Sequence, residues 1–462
     1  MALLRPLTII SGGPGTGKTS TVVNLLACLL AHHPHCRIAL AAPTGKAAAR
    51  LIEAMRQRAQ HLPQQIQERL PTEAYTLHRL LGVTSAGGAG DGFRHHAGNP
   101  LQIDALVVDE ASMLDLALAT RLFEAVPTAA RIILLGDKDQ LAAVESGAVF
   151  AELSADPGLS PGCVARLAAL CDLPAEQIRP APAVASALSD SVVWLTENFR
   201  FAGTSAIGRL ASGIRSGDAA GVLDALRRNA ESESDSDSNA DASLAWIADD
   251  AALPGVEVQQ HLLAGYAAYL QALRAPSADC ASVSAAYARF RILCALRQGP
   301  RGAEGINLLL AKALRRALAH PLDPGGTSPW YPGRPVMVLR NDYVLKLFNG
   351  DTGIVLPDAQ GQLMVYFPDD ALGFRAVPPL RLPEHETAFA MTIHKSQGSE
   401  FDAVLVLLGE RANRLQTREL LYTAVTRART QVTLVASAAV LQSAIAQATQ
   451  RHSGLLARLR EA

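Results

Sequence analysis

The chain has 462 residues, of which 49% are hydrophobic and 18% are charged, and its length predicts two or three domains of about 150 residues each. No apolar run approaches the roughly 20 residues that a membrane helix needs, so a membrane protein is not indicated. The 42 basic and 43 acidic residues leave a net charge of −1. This balance neither supports nor excludes a nucleic-acid partner, because such a site can be built from local cations.

The six cysteines are dispersed and form no CxxC pair, so the sequence indicates neither a zinc site nor a disulfide framework. The run HHPHC at residues 32–36 resembles a metal cluster only superficially, since it bridges a predicted helix and a predicted strand. The N-terminal apolar stretch runs directly into a glycine-rich loop and lacks the cleavage signature of a signal peptide. We therefore expect a cytoplasmic protein.

Residues 7–150 alternate short apolar runs with amphipathic stretches. The apolar runs are LTIIS, RIALAAP, ALVVDE and RIILLGD, and helices are expected from Lys18, from Gly45 and near Met113. This alternation is typical of βαβ units on a buried parallel sheet. The sequence therefore predicts a first α/β domain over residues 1–200.

Two insertions are expected in this first domain. Residues 82–101 are glycine-rich and are interpreted as either a small surface hairpin or a flexible loop. Residues 154–190 are rich in Ala, Pro and Ser and are predicted to form a helical or irregular insertion.

A second α/β domain is expected over residues 201–462. Residues 229–243, NAESESDSDSNADAS, combine low hydrophobicity with clustered acidic residues and are predicted to be a disordered surface loop. Residues 333–387 contain strand-like runs separated by Gly and Pro turns. That pattern predicts a small β-rich subdomain inserted in the second domain.

The strongest local signal is a glycine-rich loop with the GxxxxGK[ST] spacing of a phosphate-binding loop, between a predicted strand and a predicted helix. Its residues are Gly12, Gly13, Pro14, Gly15, Thr16, Gly17, Lys18 and Thr19. Glycines allow the backbone N–H groups to wrap phosphate, and the helix N-terminus adds its dipole. Lys18 is expected to neutralise the β- and γ-phosphates of ATP, and Thr19 is expected to supply a Mg²⁺ ligand.

Two further predicted strands end in polar residues that suit ATP hydrolysis. The run LVVDE ends in Asp109, which is predicted to hold Mg²⁺, and Glu110, which is predicted to polarise the attacking water as general base. Two acids after a strand are also common in helix N-terminal caps, but the preceding phosphate-binding loop favours hydrolysis. The run GDKDQ ends in Gln140, whose amide suits sensing of the γ-phosphate.

Eight segments occur in the order and approximate spacing of superfamily 1 helicase motifs: GGPGTGKT, APTGKAAARL, TLHRLLG, VVDEASMLD, GDKDQL, LTENFR, AMTIHKSQGSEFD and YTAVTRAR. The chain thus resembles the superfamily 1 DNA helicases. Within that superfamily, segments such as RILCALRQGPRGAEGIN, WYPGRPVMVLRNDYVLKLFNGDTG and RHSGLLARL resemble the RecD family, the alpha subunits of the RecBCD (exodeoxyribonuclease V) complex. The resemblance spans nearly the whole chain.

This resemblance implies two RecA-like domains with ATP held between them, and arginines supplied to the nucleotide by the second domain. Arg200 in LTENFR and Arg427 in TAVTRAR match the two helicase arginines that touch the γ-phosphate. A cation at that position stabilises the charge of phosphoryl transfer. Glu400 in QGSEF matches a residue that contacts the nucleotide sugar in relatives, although a helix-capping role competes with that interpretation.

The resemblance also implies a set of residues that contact single-stranded DNA. They are Thr44 and Lys46 in APTGKAA, His78 and Arg79 in TLHRL, and Thr392, His394 and Lys395 in MTIHKSQG. Hydroxyls, amides and single cations are what tracking a phosphate backbone requires, without base reading. Asn341 and Asn349 flank the predicted β-rich subdomain and suit turn caps as well as DNA contacts, so they are not included.

By the same resemblance, the chain is expected to move 5′ to 3′ along DNA and to assemble with RecB and RecC. The complex processes double-strand breaks for recombination and degrades linear duplex DNA. We expect its nuclease activity to reside in RecB, because this sequence shows no nuclease-like set of metal carboxylates. The alternatives are a free-standing RecD-like helicase and a nonmotor subunit that binds nucleotide as a structural prop, which an intact hydrolytic set disfavours.

Members of the family carry an N-terminal domain before the phosphate-binding loop, together with residues that embrace the adenine base. In this sequence the loop starts at Gly12. A truncated chain, a misassigned start and a naturally short form all agree with that position. The docking of RecC and the recognition of adenine are therefore not predicted.

Overall fold

The computed structural model divides the chain into two compact units. Unit 1 comprises Met1–Ala202 and Gln450–Ala462, and unit 2 comprises Gly203–Thr449. The structure describes residues 2–83, 92–142, 147–178, 188–200, 205–234, 241–275, 279–318, 328–342, 344–369, 373–449 and 454–461.

Unit 1 is built on a six-stranded parallel sheet. Its strands are β1 (Leu7–Gly12), β2 (Ile38–Ala42), β3 (Tyr75–Thr76), β4 (Ala105–Val108), β5 (Arg131–Gly136) and β6 (Val192–Leu195). Their order across the sheet is β3-β2-β4-β5-β1-β6. Strand β4 is buried along its whole length, as expected for a parallel sheet that is covered on both faces.

Helices of unit 1 pack on both faces of this sheet. They are α1 (Lys18–His32), α2 (Gly45–Ala59), α3 (Gln64–Gln67), α4 (Leu77–Leu81), α5 (Leu116–Ala125), α6 (Val149–Leu153) and α7 (Pro161–Cys171), with 3₁₀ turns at Ala111–Met113 and Ala175–Gln177. Successive strand residues point to opposite faces. Ile10 therefore packs in one core with Val22 of α1, and Ile9 packs in another with Leu122 of α5.

Unit 2 contains two five-stranded sheets, one parallel and one antiparallel. The strands are β7 (Leu244–Ile247), β8 (Phe290–Cys294), β9 (Pro335–Val338), β10 (Thr352–Pro357), β11 (Leu363–Asp369), β12 (Gly373–Val377), β13 (His385–Thr387), β14 (Ala390–Thr392), β15 (Phe401–Leu407) and β16 (Ala428–Val435). The parallel sheet has the order β14-β8-β15-β16-β7, and the antiparallel sheet has the order β12-β11-β10-β9-β13.

The helices of unit 2 cover the parallel sheet. They are α8 (Ala206–Ser216), α9 (Ala219–Ser234), α10 (Val256–Ala264), α11 (Ala267–Arg274), α12 (Cys280–Arg289), α13 (Ala303–Leu318), α14 (Arg418–Val425) and α15 (Ala438–Ala446), with 3₁₀ turns at Pro379–Arg381 and His394–Ser396. In α13, the buried residues Ile306, Leu310 and Leu314 recur at helical spacing and face the core.

The predicted fold class is confirmed. Both units contain a parallel sheet with helices, and the small antiparallel sheet is inserted between β8 and β14 of the second. It encloses a core of its own that includes Val336, Val355 and Phe367. Within the described ranges, no helix has both the length and the apolar character of a membrane span.

Two predicted boundaries differ from the structure. The second domain was expected to reach residue 462, but the last helix, α16 (Leu455–Glu461), packs against α6 and belongs to unit 1, because Leu455 joins its core. A disordered loop was expected over residues 229–243, but its predicted start is too early, because α9 continues to Ser234. Asn229 holds this end by donating from Nδ2 to the Leu244 carbonyl at 2.6 Å. Residues 235–240 lie outside the described residues.

The two expected insertions of unit 1 are partly described. In the first, Val83 and Phe93 form an isolated antiparallel bridge, and residues 84–91 lie outside the described part. The second contains α7 and the 3₁₀ turn at Ala175–Gln177, and residues 179–187 lie outside the described part.

Candidate nucleotide and DNA sites

Glycines shape the loop between β1 and α1. Gly15 and Gly17 have φ angles of 82° and 83°, a left-handed conformation that other residues rarely adopt. A Cβ on Gly12 would clash with the hydroxyl of Thr16. That hydroxyl instead donates to the carbonyl of Gly13 at 2.8 Å. The loop is therefore tight enough for its backbone N–H groups to converge on one ligand.

Lys18 supplies a positive charge at this loop. Its Nζ donates to the carbonyls of Gly12 and Gly13 at 2.5 and 3.1 Å. Burial raises the pKa of Asp109 to about 6 and also raises the pKa of Asp137, while the nearby Lys18 charge acts to lower both. The site thus places two desolvated carboxyl groups near one cation.

Asp109 and Glu110 follow the carboxyl end of β4. The Asp109 N–H donates to the Ala41 carbonyl of β2 at 2.9 Å, and Asp109 Oδ1 accepts from the Glu110 N–H at 2.8 Å. Glu110 has a φ of 52°, a conformation that costs a non-glycine residue on the order of 1 kcal/mol. It precedes the 3₁₀ turn without a side-chain cap hydrogen bond. The capping alternative is therefore wrong for Glu110.

Gln140 lies in the loop after β5, which is tied to the end of β1. The N–H of Lys138 donates to Ser11 Oγ at 3.1 Å. Gln140 is buried, and its Nε2 donates to Asp137 Oδ2 at 3.1 Å. Because Asp137 is itself buried, the Gln140 amide is held in one orientation beside the loop.

The segment after β6 lies over the phosphate-binding loop. Asn198 donates from Nδ2 to the Pro14 carbonyl at 2.9 Å, and the Phe199 N–H donates to the Gly15 carbonyl at 2.9 Å. The Arg200 N–H in turn donates to Asn198 Oδ1 at 2.9 Å. Arg200 belongs to unit 1. This agrees with the predicted first domain of residues 1–200, so the implication of the resemblance that the second domain supplies both arginines does not hold for Arg200.

Asn198 and Phe199 are absent from the predicted site residues. Phe199 is 72% exposed, and a Cβ built on Gly17 would lie 3.8 Å from its ring. A large exposed aromatic ring beside a phosphate-binding loop is suited to stack on a flat ligand. The signal for both residues was their place in the run NFR, directly before a candidate arginine.

The predicted site residues of unit 1 all follow the carboxyl ends of strands, where ligands bind in open α/β sheets. The phosphate-binding loop follows β1, Asp109 follows β4, Gln140 follows β5 and Arg200 follows β6. Thr44 follows β2, and His78 follows β3. In the sheet, β4-β5-β1-β6 are contiguous and β3-β2 occupy the remaining edge. The nucleotide candidates and the DNA candidates therefore form two adjacent groups.

Thr44 and Lys46 lie at the start of α2. Thr44 Oγ1 accepts from the Ala47 N–H at 3.2 Å, which caps the helix. Lys46 is half-buried in the first turn. Their positions at a helix N-terminus suit an anionic ligand such as a DNA phosphate.

His78 and Arg79 are both exposed on α4. The His78 ring lies 6.0 Å from the Phe93 ring, and the Arg79 guanidinium lies 5.1 Å from the centre of the Tyr75 ring. These contacts orient a cation and an imidazole towards solvent. They are compatible with contacts to DNA.

In unit 2, Thr392 ends β14, and His394 and Lys395 lie in the 3₁₀ turn that follows. Lys395 Nζ lies 2.8 Å from Glu386 Oε1. Thr392 and Lys395 line a cavity of about 260 Å³, together with residues that include Arg297 and Glu386. The structure therefore brings Thr392 and Lys395 together at a concave, charged surface where Lys395 already has an acidic partner.

Arg427 is only 3% exposed. Its Nε donates to the Thr423 carbonyl at 3.2 Å, and its Nη1 donates to the Ser399 carbonyl at 3.3 Å. Within unit 2 it therefore ties α14 to the turn before β15.

Glu400 directly precedes β15, and its Oε2 lies 3.4 Å from Arg429 Nε. The helix-capping alternative for Glu400 is wrong, because a strand and not a helix begins at Phe401. Arg429 is about half exposed. Of the two arginines in the segment YTAVTRAR, Arg429 is therefore exposed and Arg427 is buried.

In the part of the chain that the structure describes, no group of three or more His, Cys, Asp and Glu side chains is arranged to hold a metal ion. The predicted Mg²⁺ ligands are Asp109, which follows β4, and Thr19 in the first turn of α1, and they carry a carboxylate and a hydroxyl. These suit Mg²⁺, which takes hard oxygen ligands and needs few from the protein when phosphate oxygens supply others.

Comparison with known proteins gives two family matches and several relatives. Residues 1–146 match an AAA domain, and residues 387–435 match a UvrD-like helicase C-terminal domain. The chain is 41% identical to the RecBCD enzyme subunit RecD of Mycolicibacterium smegmatis, over 100% of this chain and 74% of that protein. It is 36% identical to the Haemophilus influenzae RecBCD enzyme subunit RecD, over 98% of this chain and 70% of that protein.

Two further similarities are more distant. The chain is 30% identical to the ATP-dependent RecD2 DNA helicase of Deinococcus radiodurans, over 98% of this chain and 50% of that protein. The Pif1 helicase from Bacteroides in complex with ADP-AlF3 and ssDNA is similar with a TM-score of 0.46 and 17% identity, over 99% of this chain and 94% of that one.

Proposed function

Since this chain belongs to the RecD family of ATP-dependent DNA helicases, we propose that it uses MgATP hydrolysis to move 5′ to 3′ along single-stranded DNA. The observation that carries the nucleotide part is the convergence of the loops after β1, β4, β5 and β6 at one edge of a sheet. The loops after β2 and β3 emerge beside them and carry the residues proposed to contact DNA in this unit.

In this proposal, the loop N–H groups and Lys18 bind the phosphates of ATP. Thr19 and Asp109 hold Mg²⁺, which neutralises charge on the β- and γ-phosphates. Glu110 accepts a proton from the attacking water as general base. Its strained backbone and the absence of a capping bond support that role.

Gln140 and Arg200 are proposed to respond to the γ-phosphate. The Gln140 amide is pre-oriented by Asp137, and Arg200 is attached to the loop through Asn198. A pre-oriented amide and a guanidinium stabilise charge in phosphoryl transfer without having to reorganise. Phe199 is proposed to stack on the adenine base, because its exposed ring lies beside Gly17.

Arg427 and Glu400 of unit 2 are assigned on the family resemblance. We propose that Arg427 acts on the γ-phosphate and Glu400 on the ribose. Both are held in the described structure by contacts inside unit 2, to Ser399 and Arg429 respectively. The proposal therefore requires those contacts to exchange when nucleotide binds.

We propose that both units contribute residues that contact single-stranded DNA. In unit 1 they are Thr44, Lys46, His78 and Arg79, and in unit 2 they are Thr392, His394 and Lys395. Single cations and hydroxyls of this kind bind phosphates independently of sequence. We expect binding that weakens steeply with salt.

We further propose that the chain works with RecB and RecC subunits in the repair of double-strand breaks and the degradation of linear duplex DNA. The similarity to RecD subunits of RecBCD enzymes supports this role. The similarity to a RecD2 helicase favours a second candidate, a RecD-like helicase that acts without those partners. The cytoplasmic location of the protein stays a prediction.

Unwinding of 5′-tailed and 3′-tailed duplexes, with and without RecB and RecC, tests activity, polarity and partner dependence together. Unwinding of only the 5′-tailed duplex is expected. A Lys18→Gln variant is expected to lose DNA-stimulated ATPase activity, whereas Lys312→Gln, at an exposed lysine of α13, is expected to keep it. Undiminished turnover in Lys18→Gln would overturn the proposed nucleotide site.

A further inference from the structure

Residues 388–390 connect the two sheets of unit 2, and we call them the link. Ala388 and Phe389 lie between β13 of the antiparallel sheet and β14 of the parallel sheet, and Ala390 opens β14. The Ala388 N–H donates to the Pro335 carbonyl of β9 at 3.0 Å, and Ala390 pairs with β8. The link therefore fixes where the chain passes from one sheet to the other.

Buried side chains donate to the first carbonyls of the link. The Ala388 carbonyl accepts from the Tyr287 hydroxyl at 2.5 Å and from Arg291 Nη1 at 3.0 Å. The Phe389 carbonyl accepts from the Tyr266 hydroxyl. Burial raises the pKa of Tyr266 and of Tyr287, so both phenols stay protonated and donate near neutral pH.

Asn307 of α13 completes the set at β14. Its Nδ2 donates to the Ala390 carbonyl at 2.9 Å, and its Oδ1 accepts from the Ala390 N–H at 2.9 Å. A single side-chain amide thus pairs with both backbone groups of Ala390. Since β14 is an edge strand of its sheet, this amide occupies the side where a further strand would otherwise pair.

The four side chains pay a desolvation cost that an apolar core would avoid. Tyr266, Tyr287, Arg291 and Asn307 are between 1% and 8% exposed. Arg291 stacks on the Tyr287 ring at 3.7 Å, and its Nε has no hydrogen-bond partner among the described residues. Well-packed apolar residues often replace such buried polar groups without loss of stability. The hydrogen bonds therefore contribute a defined backbone position.

The link leads directly to proposed DNA contacts. Thr392 ends the same short strand that Ala390 begins, and Lys395 follows in the 3₁₀ turn. Glu386, the ion-pair partner of Lys395, lies in β13 just before the link. A displacement of the link consequently changes the distance between the Lys395 cation and its acidic partner.

We propose that the buried side chains that hold the link are positioning residues for the DNA contacts of Thr392 and Lys395. They are Tyr266, Tyr287, Arg291 and Asn307. They bind no DNA themselves and act through the backbone of the link. This inference rests on the proposed role of Thr392 and Lys395 in binding single-stranded DNA.

Tyr to Phe changes remove the hydroxyl hydrogen bonds and keep the rings. The double variant Tyr266→Phe/Tyr287→Phe in the full chain releases the Ala388 and Phe389 carbonyls from their phenol donors. Tyr269→Phe is the matched control, because Tyr269 is 1% exposed, packs edge-on against Tyr266 and donates to the Gly333 carbonyl at 2.9 Å, outside the link. Thermal unfolding reports the purely structural cost of each change.

The measurement is the dissociation constant for a fluorescein-labelled oligo-dT strand, with DNA-independent ATPase activity as the second readout. For the double variant we expect weaker DNA binding by about fivefold, which corresponds to about 1 kcal/mol, with DNA-independent ATPase activity unchanged. Tyr269→Phe is expected to bind like wild type. Adding Lys395→Ala to the double variant is expected to give a less than additive loss, because the link acts through that lysine.

Two outcomes overturn the inference in distinguishable ways. If Lys395→Ala alone weakens DNA binding but the double variant binds like Tyr269→Phe, the positioning role is wrong and the DNA contact stands. If Lys395→Ala binds like wild type, the DNA contact and the positioning role that rests on it both fail.

Discussion

The Phe199 N–H donates to the Gly15 carbonyl at 2.9 Å. This bond attaches the segment after β6 to a loop that precedes it by more than 180 residues in sequence, and Asn198 adds a second bond to the same loop. Because Gly15 lies in the middle of the phosphate-binding loop, these bonds hold Phe199 and Arg200 beside that loop.

Phe199→Ala removes the exposed ring beside the loop. We expect the KM for ATP to rise roughly tenfold, which corresponds to about 1.4 kcal/mol and lies within the range for base stacking on an aromatic side chain. Steady-state ATPase assays over a range of ATP concentrations measure it. Phe123→Ala on α5, a partly exposed phenylalanine of the same unit, is the control. An equal KM in the two variants would contradict stacking.

Gly15→Ala places a Cβ where the backbone has a φ of 82° and where Asn198 Oδ1 lies 2.9 Å away. We expect the free energy of unfolding to fall by about 1–2 kcal/mol, because alanine is strained in the left-handed backbone. We also expect ATPase activity to fall, because the segment at Arg200 must move to make room for the Cβ. Gly162→Ala in α7 meets open space and is expected to be neutral or stabilising. Calorimetry and ATPase assays of both variants test the difference.

Glu386→Gln removes the carboxylate that neutralises Lys395. Because the side chains are 24% and 32% exposed, the released cation is accessible to phosphate, and we expect single-stranded DNA to bind about threefold more tightly at low salt, as one further phosphate contact. The slope of affinity against salt concentration is expected to steepen. Glu384→Gln, at an exposed glutamate in the same segment, controls for net charge. Weaker or unchanged binding in Glu386→Gln would count against the Lys395 contact.

Asp190→Asn tests a buried carboxylate of unit 1 through pH. Burial acts to raise the pKa of Asp190, but hydrogen bonds from Ser160 and Arg5 outweigh it and lower the pKa below its ordinary value. A lowered pKa means that the stabilisation is present above the unfolded pKa of about 4 and is lost as the pH falls through the folded pKa.

We therefore expect Asp190→Asn to lower the free energy of unfolding by about 1–3 kcal/mol at pH 7, and the difference from wild type to shrink below pH 4. Denaturant unfolding at several pH values measures it. Asp172→Asn is the control, because Asp172 has the same left-handed backbone, with φ of 53° against 65° for Asp190, and is exposed. A difference that does not depend on pH would show that charge is not the cause.

The parts of the fold that the sequence predicts are those with local signals. The apolar runs of β1, β2, β4 and β5 and the glycine spacing of the phosphate-binding loop are visible in the chain itself. Strand β3 has two residues, Tyr75–Thr76, which is too short for any periodic pattern. Strand β6 follows a long insertion. Their places in the sheet depend on pairing with residues far away in sequence, and such pairing leaves no local pattern.

The same distinction holds for the candidate site. Lys18, Asp109 and Gln140 follow predicted strands, so the carboxyl-end rule is enough to bring them together. The attachment of Phe199 to Gly15 and the pairing of Lys395 with Glu386 depend on the tertiary path of the chain. So does the burial of Arg427, which the motif TAVTRAR does not indicate.

The order of strands in unit 1 has a mechanical consequence. Strand β2, which precedes the proposed DNA contact Thr44, pairs directly with β4, which precedes Asp109, and the Asp109 N–H donates to the Ala41 carbonyl at 2.9 Å. Neighbouring strands are about 4.8 Å apart, and a hydrogen-bonded sheet transmits displacement stiffly across that distance. The proposed nucleotide site and the proposed DNA contacts of unit 1 are therefore joined by one hydrogen-bonded sheet, and a displacement of one against the other would require breaking strand pairs.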